Sequence, residues 1–122
     1  MLKRLDSIEV ATSDLADAAS LYEKNFGFRV TKSVDGKSAS VEVGGAKIRL
    51  ASGDKAAAAI AASGEGMIAL WLEADDLDLV VADLHRAGLS VGAVRLDSGR
   101  RILEIDPKLA NQVPLFIFDR KA

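Results

Sequence analysis

The chain has 122 residues, 49% hydrophobic and 28% charged, which is enough for one good core and too little for two independent ones. Its net charge is −2 with basic and acidic residues interspersed, so it carries no electrostatic footprint for nucleic acid or an anionic membrane. It has no cysteine, which excludes disulfides and thiolate chemistry and fits a cytoplasmic protein.

The opening "MLKRLDSIEV" holds basic residues without an apolar run behind them, so it is not expected to act as a signal peptide. "LDSIEVA" alternates, placing Ile8 and Val10 on one face and Ser7, Glu9 and Ala11 on the other, as a half-buried strand requires. The period then lengthens. Ser13 or Asp14 is suited to cap a helix whose apolar stripe is Leu15, Ala18, Ala19, Tyr22 and Phe26, closed by Gly27. Three strands are expected next, "FRVTKSV", "SASVEV" and "AKIRLAS", separated by the turn dipeptides Asp35-Gly36 and Gly44-Gly45.

The alanine-rich stretch in "GDKAAAAIAASGEG" is far shorter than the roughly 20 residues needed to span a membrane and is expected to form a short surface helix. Beyond it the order of elements repeats. "IALWLEA" alternates, Asp75 or Asp76 caps, Leu77, Val80, Val81 and Leu84 form the stripe, and Gly88 precedes "LSVGAVRL", "RRILEID" and "PLFIF". Asp14 and Asp76 stand 62 positions apart, and the helices they open match closely. One domain of two βαβββ modules is therefore expected, with module one at about 4–52, a linker at about 53–66 and module two at about 67–120.

These paired modules, with Asp-Leu opening each helix, Phe-Gly or Ala-Gly closing it, and an Asp-Pro followed by "ANQVPLF" before the last strand, resemble the glyoxalase, bleomycin-resistance and extradiol-dioxygenase superfamily, the vicinal oxygen chelate fold. The resemblance runs from about Leu5 to Asp119. It implies an α+β fold in which two modules form an eight-stranded curved sheet shaped as a cup, with helices on the convex side. It further implies a metal in that cup, held by one side chain from the first and fourth strands of each module. The matching positions here are Ser7, Arg49, Ala69 and Phe116. Serine is a poor donor, alanine and phenylalanine offer no lone pair, and arginine brings a repelling charge, so neither metal nor other cofactor is expected. Glu9 and Glu73 point by alternation to the same side, but two carboxylates without imidazole or thiolate make at most a weak hard-metal site. His85, the sole histidine, falls late in the second helix, away from the cup.

Alternation gives the cup a lining of Ser7, Glu9 and Ala11, Lys47 and Arg49, Ala69, Trp71 and Glu73, and Pro114, Phe116 and Phe118. An apolar, partly aromatic wall with a few charges is the usual makeup of a small-molecule pocket. The alternative is a filled cup, with Trp71 packed on Phe116 and Glu9 paired with Arg49. Of Arg100 and Arg101, one must face this side, where it is able to clamp a carboxylate or phosphate. The favoured function is that of a metal-free binding protein, resembling the bleomycin-resistance proteins, taking a drug or metabolite at Ser7, Glu9, Arg49, Trp71, Glu73, Phe116 and Phe118, as a homodimer and without nucleic acid or membrane. The alternative is a lyase, isomerase or dioxygenase-like enzyme of the superfamily, with Glu9 or Glu73 as base and Arg49 stabilising an oxyanion. An interaction module is the third class.

Overall fold

The computed structural model describes residues 2–110 and 112–121. Eight strands and three α-helices follow the expected order: β1 (Leu2–Ala11), α1 (Leu15–Phe26), β2 (Val30–Lys32), β3 (Ser38–Val43), β4 (Ala46–Ala51), α2 (Asp54–Ser63), β5 (Gly66–Ala74), α3 (Leu77–Arg86), β6 (Arg95–Asp97), β7 (Arg100–Ile105) and β8 (Leu115–Asp119), with a 3-10 turn at Pro107–Ala110 before the last strand. The chain divides into two compact units, Ser7–Ile68 and the residues up to Asp6 together with those from Ala69 onward. The division falls inside β1, where Asp6 and Ser7 are both buried and the alternation breaks.

In the Ser7–Ile68 unit the strand order is β2-β3-β4-β1, with β1 parallel to β4 (Ser7 opposite Lys47, Glu9 opposite Arg49) and the others antiparallel. Its core is Ala19 of α1 against Ala39, Val41 and Leu50, flanked by Val10, Leu15, Tyr22, Phe28 and Ile48. Asp14 caps α1 by accepting from the Asp17 N–H at 3.0 Å, and Gly27 ends it in the left-handed region. The expected stripe stops one turn early: Phe26 is 65% exposed, and Phe28, on the chain leaving the helix, packs against the core instead. Glu65, just beyond α2, accepts from the Ser13 N–H (2.6 Å) and Oγ–H (2.8 Å) and from Thr12 Oγ–H (3.2 Å), and these bonds hold its carboxyl below its ordinary range.

The other unit repeats the order as β6-β7-β8-β5, with the start of β1 next to β5. Here β5 runs parallel to β8 (Trp71 opposite Phe116, Glu73 opposite Phe118). One face of its sheet packs under α3, where Leu77, Val80, Leu103, Ile105 and Ile117 are buried together, with Val81 and Leu84 alongside. Asp76, the second of the two candidate caps, accepts from the Asp78 N–H at 2.9 Å. The expected strand over "LSVGAVRL" shrinks to Arg95–Asp97, because only these residues have β7 partners. Similarly "FRVTKSV" pairs only over Val30–Lys32. Asn111 of the "ANQVPLF" motif lies outside the described residues. Among the described residues, no helix is long and apolar enough to cross a membrane.

Candidate functional site

On the sheet face opposite α3, strand alternation gathers Ala69, Trp71, Ile102, Phe116 and Phe118 into one buried cluster. The parallel register sets Trp71 beside Phe116, and their rings stack with centroids 4.4 Å apart at 11°, while Phe118 meets Trp71 edge-on at 6.1 Å. Such a stack adds about 1 kcal/mol beyond the area it buries. Trp71 is 7% exposed and Phe116 8%, so the wall is tightly packed.

Charged groups border this aromatic floor. Glu73, next on the same face of β5, is 4% exposed, and its two oxygens accept from Arg4 Nε–H (2.9 Å) and Arg120 Nε–H (3.1 Å). Arg4 also donates to Asp6 at 3.1 Å. A carboxylate whose two oxygens are bonded to two guanidinium groups is placed to anchor cations rather than to receive a substrate proton. The Arg120 guanidinium lies 5.4 Å from the Phe118 ring centre. Arg100 lies over both Trp71 (5.4 Å) and Phe118 (5.2 Å).

Its neighbour Arg101 turns to the helix side. It donates to both oxygens of the fully buried Asp119 (3.0 and 2.6 Å), to Asp78 (3.1 Å) and to Asp76 (3.3 Å). Asp119 also accepts the Leu77 N–H at 2.7 Å, fastening the start of α3 to β8. The Arg101 pairing, joined by the backbone bonds, holds the Asp119 carboxyl down at about 2 against burial, which opposes it. Sequence reading missed Asp119, Arg4 and Arg120. For Asp119 the available signal was the charge directly after the apolar run "LFIF", which lies opposite Arg101 once β7 and β8 are in register.

In the Ser7–Ile68 unit, Glu9 and Arg49 are half-buried register partners, and Ser7 is fully buried with no hydrogen-bond partner for its Oγ among the described residues. Lys47 is exposed and reaches Glu42 at 3.7 Å. At the positions that the family resemblance matches to metal ligands, Ser7 and Arg49 of this unit carry a buried hydroxyl and a half-buried guanidinium, and Ala69 and Phe116 of the other carry a methyl and a stacked ring. Among the described residues no three His, Cys, Asp or Glu side chains come together as a metal site. His85 is exposed in the last turn of α3.

Cavities also lie elsewhere in each unit. One of about 320 Å³ sits in the Ser7–Ile68 unit where β1 meets α1, lined in part by Val10, Thr12, Asp17, Leu21, Tyr22 and Glu65. Another, of about 130 Å³, is apolar and sits between α3 and its sheet, lined by Leu84, Val91, Ile105, Leu109, Leu115 and Ile117 among others.

In each unit the first strand of the βαβββ order runs parallel to the last. A family model, that of the Glyoxalase/Bleomycin resistance protein/Dioxygenase superfamily, matches residues 4–101 of the chain. The chain belongs to this superfamily. Among solved structures it is similar to a hypothetical protein from Bacillus halodurans C-125 (18% identity, TM-score 0.79, covering 98% of this chain and 95% of that one). It is similar also to the methylmalonyl-CoA epimerase of Mycobacterium tuberculosis (24%, TM-score 0.78, 97% and 88%). A third is a Streptomyces coelicolor methylmalonyl-CoA epimerase variant in complex with 2-nitronate-propionyl-CoA (24%, TM-score 0.77, 100% and 100%). No curated protein matches the chain.

Proposed function

We propose that this superfamily member binds a small organic molecule on the aromatic and charged sheet face built by Trp71, Phe116 and Phe118 with Glu73, without the family's metal. Ser7, Glu9 and Arg49, the remaining residues of the expected binding set, belong to the Ser7–Ile68 unit and are proposed as ligand contacts of that unit. The observation that carries the metal-free part is the donor set: Ser7, Arg49, Ala69 and Phe116 supply one neutral hydroxyl, one cation and two hydrocarbon groups. Support for binding comes from the aromatic floor with charges at its border, a composition suited to an amphipathic organic ligand. In this reading the 122 residues act as one domain of two modules, cytoplasmic and homodimeric, without nucleic-acid or membrane partners. The interspersed charge and the lack of cysteine support that placement.

Trp71, the sole tryptophan, supplies the test. Titration with aromatic or amphipathic ligands should change its fluorescence saturably, and Trp71→Ala should weaken binding by about 1–3 kcal/mol. An unresponsive Trp71, together with a loss of roughly 3–5 kcal/mol of stability in Trp71→Ala, assigns the face to core packing and overturns the proposal. Zn²⁺, Ni²⁺, Co²⁺, Mn²⁺ and Fe²⁺ should leave the melting temperature unchanged, whereas an ion at 100 times its Kd would add about 2.7 kcal/mol.

A second reading is metal-free proton transfer, which the fold of the epimerase neighbours brings into view. With both oxygens of Glu73 bonded to arginine, the base role falls to Glu9 beside Arg49. Turnover of an acyl-CoA thioester that is lost in Glu9→Gln and retained after chelator treatment would favour it over binding alone.

A further inference from the structure

The arginines of the unit that contains β5 to β8 differ in how their donors are used. Arg101 spends its guanidinium on three aspartates, and Arg4 is shared by Glu73 and Asp6. Arg120 donates to Glu73 and, with a side chain 59% exposed, leaves its remaining N–H groups to water. Arg100 fits neither pattern. Its side chain is only 19% exposed, its guanidinium lies over the Trp71 and Phe118 rings, and among the described residues no acceptor is within hydrogen-bond distance of it. Its one ion partner among them is Asp97, across the β6–β7 turn at 3.9 Å, beyond hydrogen-bonding range. Two aromatic faces hold the stem and the plane of the cation in place but accept none of its five N–H donors in the ordinary sense. A mostly covered guanidinium with an unused planar fork is matched to a carboxylate or phosphate group, which takes two parallel N–H···O bonds.

Resting on the binding reading above, we propose that Arg100 is an oxyanion clamp, so that the ligand of this face is a small organic anion bearing a carboxylate or a phosphate monoester. The anion docks on the fork of Arg100 and displaces the loose contact with Asp97, while Trp71 and Phe118 hold the guanidinium flat. Arg100 thus sets specificity for charge, and the apolar body of the ligand meets the exposed edges of Trp71 and Phe116.

Benzoate, phenyl phosphate and the neutral isostere benzamide are the probes, titrated against the full chain by Trp71 fluorescence and by calorimetry. One or both anions should bind at least tenfold more tightly than benzamide, and whichever binds more tightly identifies the oxyanion. Arg100→Met should remove that preference, bringing the affinities for both anions to within about twofold of that for benzamide. Arg100→Lys, which keeps charge and stem but loses the fork, should fall between. Asp97→Asn, at an exposed position, should tighten anion binding about two- to threefold by removing the competing carboxylate. Equal affinity for benzoate, phenyl phosphate and benzamide would overturn the clamp while leaving small-molecule binding intact. Failure of all three to bind would remove both. If Arg100→Met is unfolded by circular dichroism, the Asp97→Asn and Arg100→Lys titrations decide, and unchanged anion affinity in both overturns the clamp.

Discussion

Asp119 shows what one side chain contributes when its partners are fixed by register. Its carboxyl titrates at about 2 in the folded protein against an ordinary 3.8, so the Arg101 pairing stabilises the fold above about pH 4 and that stabilisation fades as the pH falls toward 2. The shift corresponds to about 2 kcal/mol. Urea unfolding of the wild type between pH 5 and 2 should show this loss, and Asp119→Asn should remove this contribution to the slope. At neutral pH that variant should cost about 3 kcal/mol, the low end for breaking a buried pair, since Arg101 keeps Asp76 and Asp78. The charge after "LFIF" marks Asp119 in the sequence, but its partner was not legible there, because alternation assigns a residue to a face but not to a partner. Arg101 and Asp119 are 18 positions apart, and only the β7–β8 register sets them opposite each other. For the same reason the sequence left open which of Arg100 and Arg101 faces the cup side, and the structure separates them, with Arg100 over the aromatic rings and Arg101 toward α3.

Helices and strands were legible to different degrees. Helices α1 and α3 follow from their stripes and caps, since Asp14 and Asp76 each satisfy an N–H in the first turn and the apolar period fits both. Gly27 ends α1 at φ 68°, with its N–H bonded to the Glu23 carbonyl. Gly27→Ala should therefore cost about 1 kcal/mol in denaturant unfolding, the penalty for an L side chain in the left-handed region. Gly45→Ala, at a position without positive φ and with open space at its Cβ, should stay within about 0.5 kcal/mol. Strand ends were harder. "LSVGAVRL" carries a strand-like pattern over its full length, yet pairing needs a partner on the ladder, and β7 offers one only to Arg95–Asp97. Phe26 likewise obeys the helical period but stays largely exposed, and Phe28 packs against the core in its place.

Across the whole molecule, the repeat was the strongest signal in the sequence, and the two strand orders, β2-β3-β4-β1 and β6-β7-β8-β5, are its structural counterpart. The site was legible only as a list of residue types on a face; the bonds of Arg4 and Arg120 to Glu73 depend on residues 69 and 47 positions away. Both outer strands, β2 and β6, are three residues long and carry Lys32, Arg95 and Asp97, which blunts them against edge-to-edge growth. The proposed homodimer should appear by light scattering at micromolar concentration as twice the chain mass, and a monomeric mass would refute it.

The division of β1 at Asp6 has its own consequence for the integrity of the repeat. The later unit is interrupted in sequence: it borrows its opening strand segment from the far end of the chain, so a cut within α2 yields no single fragment that contains it whole. The duplicated halves are thus interlaced along the chain rather than interchangeable. Deleting residues 2–6 removes Arg4 and leaves the buried Glu73 with Arg120 alone among its bonded guanidinium groups. Amide exchange should then quicken in β5 around Leu70–Glu73, far along the chain from the lesion, while α1 keeps its protection.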